Sequence, residues 1–221
     1  MSVLIYRDPE IVGSCAAMLV ASHLLTDPKC TIGMDYHESL LSAFDELSAM
    51  TERGLINWSD ATIYQLFEFV PTAESGQRIS NLLGKALFAK TEISEKQYVV
   101  PFSTELSPEK TAETFEQSIL NDGGLDVSLL AIRRNGSLLM NQTTDSNLNT
   151  HLETVDGDDF ITAGIATLMQ AKHPIVVATG KAFAQAVHSM LKGSLTETPL
   201  AALRLHPGVT ILLDEEAAEL L

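Results

Sequence analysis

Leu125–Gln142, LDVSLLAIRRNGSLLMNQ, is the stretch on which the fold turns. From Leu129 to Ile132 it is apolar at both parities, whereas a strand with one wet face alternates. The pattern predicts a strand covered on both sides, as in the interior of a parallel sheet. Arg133-Arg134-Asn135-Gly136-Ser137 then breaks the run with a polar turn.

The segments on either side keep a strand-and-helix rhythm. Upstream, SPEKTAETFEQSIL has Ser107 as cap and Pro108 at its first position, the pattern of a helix start, and Gly123-Gly124 separates it from the strand. Downstream, Gly164–Gln170 reads as a short helix, Pro174–Ala178 as a buried strand, Lys181–Leu191 as a helix and Val209–Leu213 as a last strand before an acidic helical tail. The N-terminal half repeats the theme: strand Val3–Tyr6, helix after Asp8-Pro9-Glu10, strand end Thr31–Gly33, a turn over 34–38, and helix Ser39–Met50. Thr62–Val70 then reads as one strand, RISNLLGKALFA as a helix and QYVVPF as a short strand. These elements predict a single α/β domain over residues 1–221, three-layer α/β/α, with a mainly parallel, Rossmann-like sheet. Ligands in such sheets sit at the carboxyl ends of the strands, which directs attention to loops 33–39, 67–77, 133–146 and 179–182.

A length of 221 residues suffices for a core without disulfides or metals. With 14 basic against 29 acidic side chains the net charge is −15, a surface that repels phosphate backbones and anionic lipid. Nucleic acid and membrane are therefore not expected as partners. Cys15 and Cys30 lie in apolar surroundings without a CxxC pair and read as reduced core thiols, which places the chain in the cytoplasm. MSVLIYRDPE lacks the basic start of a signal peptide, and no uninterrupted apolar run reaches membrane-spanning length.

Val176-Val177-Ala178-Thr179-Gly180-Lys181-Ala182 combines a strand, a Thr-Gly turn and a lysine in the first turn of a helix. Backbone amides there, with the ammonium, can receive an anion; an ordinary turn with an exposed lysine is the competing reading. It is not a Walker A loop, because the upstream glycine is missing and Ala182 follows the lysine.

Taken in order, Gly123-Gly124-Leu125-Asp126, the turn at 134–142, Ile161-Thr162-Ala163-Gly164-Ile165, VVATGKA and Ala201–Pro207 (AALRLHP) resemble the superfamily of glucosamine-6-phosphate deaminases, galactosamine-6-phosphate isomerases and 6-phosphogluconolactonases. The resemblance spans nearly the whole chain and is strongest beyond about residue 121. It implies a sugar-phosphate site whose residues can be carried over one at a time.

The family's glycine-rich phosphate loop after the second strand here reads Gly33-Met34-Asp35-Tyr36-His37-Glu38-Ser39. A carboxylate about 5 Å from a phosphate charge costs roughly 3 kcal/mol at an effective dielectric near 20, more than the ~0.3–1 kcal/mol a helix N-terminus offers. At the third strand the deaminases' Asp-Glu-aromatic triplet becomes Phe67-Glu68-Phe69. The proton-transferring Asp is thus a phenyl ring, and Glu68 is read as a structural carboxylate. The deaminases' Gly-x-Gly-x-Asp-Gly-His-x-x-x-Asn-Glu aligns Asn135 with its Asp, Ser137 with its His and Gln142 with its final Glu. Every ionisable group of that motif is neutral here. General acid–base help is worth about 10²–10⁴-fold, so the resemblance implies a scaffold that has lost its relay.

Arg133 and Arg134 are gained. They either bind a carboxylate or phosphate, or pair with Asp35 and Glu38 and close the old pocket. Segment 143–160, without an arginine, reads as a mobile surface loop. His37 is the one histidine positioned to act as a substitute acid–base. No histidine pair has helical metal spacing, and neither metal nor cofactor is expected.

The expectation is a catalytically eroded relative that binds a sugar phosphate or similar small anion through Gly33, Arg133, Arg134, Thr179, Gly180 and Lys181. An active isomerase, deaminase or lactonase with relocated groups (Glu68, His37, or Ser137 and Gln142 through water) stays open. So does a non-catalytic subunit pairing with an active paralogue or with itself.

Overall fold

In the computed structural model, residues 1–70, 78–91, 93–94, 96–141, 148–194 and 199–221 are described. Seven strands form one parallel sheet: β1 (Ser2–Tyr6), β2 (Thr31–Met34), β3 (Thr62–Gln65), β5 (Tyr98–Val99), β6 (Val127–Ala131), β9 (His173–Ala178) and β10 (Thr210–Asp214). Their spatial order is β1-β10-β9-β6-β2-β3-β5.

Both faces of β6 are dry, as its sequence requires. Val127, Leu129 and Ala131 join one core under α1 (Pro9–Thr26), α2 (Leu41–Glu52) and α3 (Ile79–Ala86). Leu130 and Ile132 join a second core under α4 (Pro108–Asn121), α5 (Ile165–Met169) and α6 (Ala184–Lys192). This is the three-layer α/β/α arrangement. The helix starts behave as their residues dictate: Asp8 accepts from the Ile11 amide at 3.0 Å and Ser107 from the Lys110 amide at 3.3 Å.

Three expectations need correction. Thr62–Val70 is not one strand. After β3 the chain leaves the parallel sheet at Leu66, whose amide bonds Met34 O at 3.0 Å while its carbonyl accepts from Ala163 N at 2.7 Å. Phe67–Phe69 then becomes β4 in a separate antiparallel sheet, β4-β8-β7, with β7 (His151–Val155) and β8 (Asp158–Thr162).

Secondly, the part of 143–160 that is described is a hairpin rather than a mobile loop. Asp156 and Gly157 have φ of 53° and 92°, the double positive pair that a two-residue hairpin turn demands and that Asp-Gly supplies. Residues 142–147 lie outside the described residues. Thirdly, the acidic tail forms turns, fixed by the Ala217 amide on Asp214 Oδ1 at 2.7 Å, and not a helix.

Gly164, at the head of α5, allows a close approach. A Cβ there would sit 2.2 Å from Asn149 O and 2.3 Å from Leu148 O, so a side chain would push the β7 entry away. At 18 residues and mean hydropathy 1.3, α1 is long and apolar enough to cross a membrane by length and composition, although Glu10, Ser14, Ser22 and His23 interrupt its apolar run. Its Val12, Ala16, Val20 and Leu24 are nevertheless seated in the core, as in the central helix of a packed sheet.

Candidate functional site

β2 and β6 end side by side, and the segments leaving them meet the tip of the β7–β8 hairpin around a cleft of ≈ 370 Å³. His37, Glu38, Arg133, Arg134, Asn135 and Ser137 line it from the sheet side, and Asp156 from the hairpin. The volume is within the range of small-molecule sites. A larger hollow of ≈ 730 Å³ runs along α4, but it lies beside Glu116 and Thr150, away from the strand ends and from every group singled out by sequence. The smaller cleft is the candidate because the chemistry is there.

Arg133 does not reach into it as a free cation. Its guanidinium forks onto Asp35, Nη2 to Oδ1 at 2.7 Å and Nη1 to Oδ2 at 2.9 Å, and the Ala131 amide adds a bond to Oδ2 at 2.9 Å. Asp35 is wholly buried and the Arg133 side chain is 13% exposed. Beneath the fork is Phe67, its ring centroid 5.7 Å from the guanidinium carbon. Position 67 is thus an arene carrying a neutralised ion pair. Arg134 differs: 69% exposed, it pairs loosely with Glu38 at 3.5 Å and lies 5.8 Å from the Phe183 ring. Such an exposed pair can open toward a ligand at little cost.

His37 closes the loop after β2 in an unexpected way. Its Nδ1 accepts from the Ser39 amide at 3.2 Å, so an amide of the loop that would face an anion is already used. The neutral ring, by that bond, carries its proton on Nε2. Burial, and after it the Arg133 charge, holds the His37 pKa below the ordinary value, so the imidazole is neutral at pH 7. A ring with its lone pair engaged and its proton on the other nitrogen donates a hydrogen bond but is a poor base. Phe183 stacks on it edge-on, with centroids 5.6 Å apart.

Asn135 and Ser137 share a turn, with the Ser137 amide on Asn135 Oδ1 at 3.0 Å and the Gly136 amide on Arg133 O at 2.9 Å. Leu139 follows with φ 52° while 1% exposed. A left-handed conformation costs a residue with a side chain about 1–2 kcal/mol. The loop is thus strained at Leu139, and its Asn135 and Ser137 carry no ionisable group. Gln142 lies outside the described residues.

Glu68 sits apart from the cleft. Fully buried, it accepts from the amides of Phe69 (2.9 Å), Ile79 (2.9 Å) and Ser80 (3.0 Å) and from Gln65 Nε2 (3.1 Å), which makes it the cap of α3. Gly33 is buried within β2, where a Cβ would meet Leu125 and Leu66, so it serves packing. The Thr179-Gly180-Lys181 turn is also engaged. The Gly180 amide donates to both Asp214 oxygens at 2.8 and 2.9 Å, and the Lys181 amide to Glu216 at 3.3 Å. The Lys181 ammonium pairs with Glu219 at 2.9 Å, a bond that raises its pKa. None of these three residues lines the cleft.

His37, Arg133, Arg134, Asn135 and Ser137 come together as the sequence suggests, Glu68 is the structural carboxylate expected, and Gly33 and the Thr179-Gly180-Lys181 turn lie outside the lining of the cleft. Sequence reading missed Phe183, which touches both His37 and Arg134, and Asp156, whose Asp-Gly turn was the available signal. Positions 67, 135 and 137 carry no titratable group, but the cleft as a whole is not stripped of them: His37, Glu38 and Asp156 border it. Among the described residues no cluster of three or more metal-ligating side chains occurs.

No family model matches the chain. It is 29% identical over 240 residues to a glucosamine-6-phosphate deaminase of Mycolicibacterium smegmatis, covering 99% of this chain and 92% of the relative. The enzyme of the same name from Halothermothrix orenii is 29% identical over 241 residues, with both chains covered in full. Among solved structures, a monomeric glucosamine-6-phosphate deaminase superposes with a TM-score of 0.94 at 23% identity over 100% of both chains. The 6-phosphogluconolactonase of Trypanosoma brucei gives 0.79 at 16%, covering 99% of this chain and 97% of that one. Full-length similarity to the deaminases and the shared fold support membership of the superfamily that contains the glucosamine-6-phosphate deaminases and the 6-phosphogluconolactonases.

Proposed function

We propose that this protein binds a sugar phosphate or a similar small hydroxylated anion in the cleft at the strand ends and does not turn it over. The Asp35–Arg133 fork over Phe67 carries the reading, because the buried carboxylate is locked against a guanidinium and position 67, which the resemblance aligns with the deaminases' base, is a phenyl ring. What remains suits recognition: the Arg134 guanidinium, the His37 Nε2–H, the Ser137 hydroxyl and the Asn135 amide.

Affinity is modest for an electrostatic reason. A phosphate charge about 4 Å from the exposed Arg134 gains about 1 kcal/mol at the dielectric of water, and the exposed Glu38 at a similar distance returns a comparable repulsion. Titration calorimetry with glucosamine-6-phosphate and 6-phosphogluconate tests this. Binding should weaken on Arg134→Ala and tighten, by up to about tenfold, on Glu38→Gln. Affinity indifferent to both substitutions would remove the cleft from consideration.

A second reading has its own observation. His37, Glu38 and Asp156 border the cleft, so a relocated acid–base pair for an active phosphosugar isomerase, deaminase or lactonase has candidates. It requires His37 to give up its bond from the Ser39 amide. Turnover that disappears with His37→Gln would establish it.

A further inference from the structure

We propose that His23 and His173, at the rim opposite the cleft, form a two-histidine site for a divalent transition-metal ion such as Zn²⁺, with water completing the ion's shell. His23 stands in the last turn of α1 and His173 opens β9. Their ring centroids are 4.8 Å apart and the ring planes are tilted by 41°. Metal–nitrogen bonds of about 2.0–2.1 Å at angles of about 90–110° put the centroids of two imidazoles on one ion about 4.5–5.2 Å apart. The pair already stands at that spacing.

Its nitrogens are available. Among the described residues neither ring makes a hydrogen bond, whereas the rings of His37, His151 and His206 each do. Burial, and after it the charge of His173, holds the His23 pKa below the ordinary value, so that ring is neutral at pH 7 and keeps the lone pair a metal needs. His173 is exposed and His23 half-buried, which leaves the ion a path in from solvent.

The surroundings favour a cation. α1 ends here, and the carbonyl end of a helix is the negative pole of its dipole. Asp126 adds its charge, pulling the His23 pKa upward against the burial. Both of its oxygens are engaged, one by the Thr31 amide at 2.8 Å and hydroxyl at 3.0 Å and the other by Lys172 at 2.6 Å, so Asp126 acts through space and not as a ligand. His206 is spent as well, since its Nδ1 accepts from the Gly208 amide at 3.1 Å. Among the described residues no third side chain completes a ligand set. The site is therefore open and exchangeable, unlike the closed four-ligand sites of structural zinc. An ion held there clips the end of α1 to the start of β9 across a long stretch of chain and stabilises the folded state by mass action.

Calorimetric titration of the untagged chain with Zn²⁺, up to about 1 mM at pH 7.5 in chelator-treated buffer, tests this. Uptake should saturate at one ion per chain, and Tm should rise with Zn²⁺ concentration. His23→Gln and, separately, His173→Gln should abolish both effects, while His188→Gln, on α6, matches the wild type. Electron paramagnetic resonance of the Cu²⁺-loaded chain should show two nitrogen ligands in the wild type and one in either variant. Thermal unfolding without metal establishes that each variant is folded. No saturable uptake, or uptake and Tm shift that survive the loss of either histidine, as an adventitious ion on the acidic surface would give, overturns the proposal.

Discussion

Arg133→Ala probes the buried ion pair at the rim of the cleft. The substitution leaves Asp35 with no exposed surface and, of the bonds described above, only the Ala131 amide. Breaking one side of a buried pair costs about 3–5 kcal/mol. A ceiling follows from protonation, since neutralising a carboxyl group of ordinary pKa (~3.9) costs about 4 kcal/mol at pH 7 and about 1.5 kcal/mol at pH 5. Arg133→Ala should therefore lose about 3–4 kcal/mol at pH 7, a fall in Tm of roughly 6–16 °C for a chain of this size, and distinctly less at pH 5. Arg134→Ala, at an exposed pair, should stay within about 0.5 kcal/mol at both. The volume-matched Asp35→Leu/Arg133→Met pair should recover most of the loss. Urea unfolding at the two pH values reads all of this. An Arg133→Ala variant no less stable than Arg134→Ala would show that the fork does not hold the rim.

Glu68→Gln should cost about 1–3 kcal/mol in urea unfolding by weakening the cap of α3, with ligand affinity in the cleft unchanged. Gly164→Ala should be at least as damaging, since the added carbon meets two backbone carbonyls; the soluble yield and Tm measure it. A pH effect is expected at the opposite rim, where His23 and His173 lie with ring centroids 4.8 Å apart and the His206 ring sits close by. Burial, and then the neighbouring His173, lowers the pKa of His23; burial likewise lowers that of His206. The unfolded chain binds protons more readily at these groups, so their contribution is complete above about pH 6.5 and is lost as pH falls through the depressed folded values. The urea midpoint should drop between pH 7.5 and 5.5, and His23→Gln with His206→Gln should flatten that slope.

Much of the fold was legible because its signals are local. Asp8-Pro9, Ser107-Pro108 and the doubly apolar run at Leu129–Ile132 each dictate an element without reference to the rest of the chain. Thr62–Val70 was misread because nothing in its alternation tells that Leu66 bonds two different sheets. The hairpin at Asp156-Gly157 carried a plain turn signal that the polar composition around it obscured. That Phe67, Asn135 and Ser137 carry no ionisable group is written in residue identity and needed no coordinates. The pairings were not legible: that Asp214 takes the Gly180 amide, or that His37 turns back on the Ser39 amide, depends on side-chain direction. Arg133 and Arg134 are adjacent and chemically identical, yet one is locked on buried Asp35 and the other is only loosely paired with exposed Glu38.

The most direct measurement is ammonia release from glucosamine-6-phosphate, and hydrolysis of 6-phosphogluconolactone, by material purified away from host enzymes. The account predicts no rate above the uncatalysed background at any pH from 6 to 9. A sustained rate that falls by about 10²-fold or more on His37→Gln would contradict it.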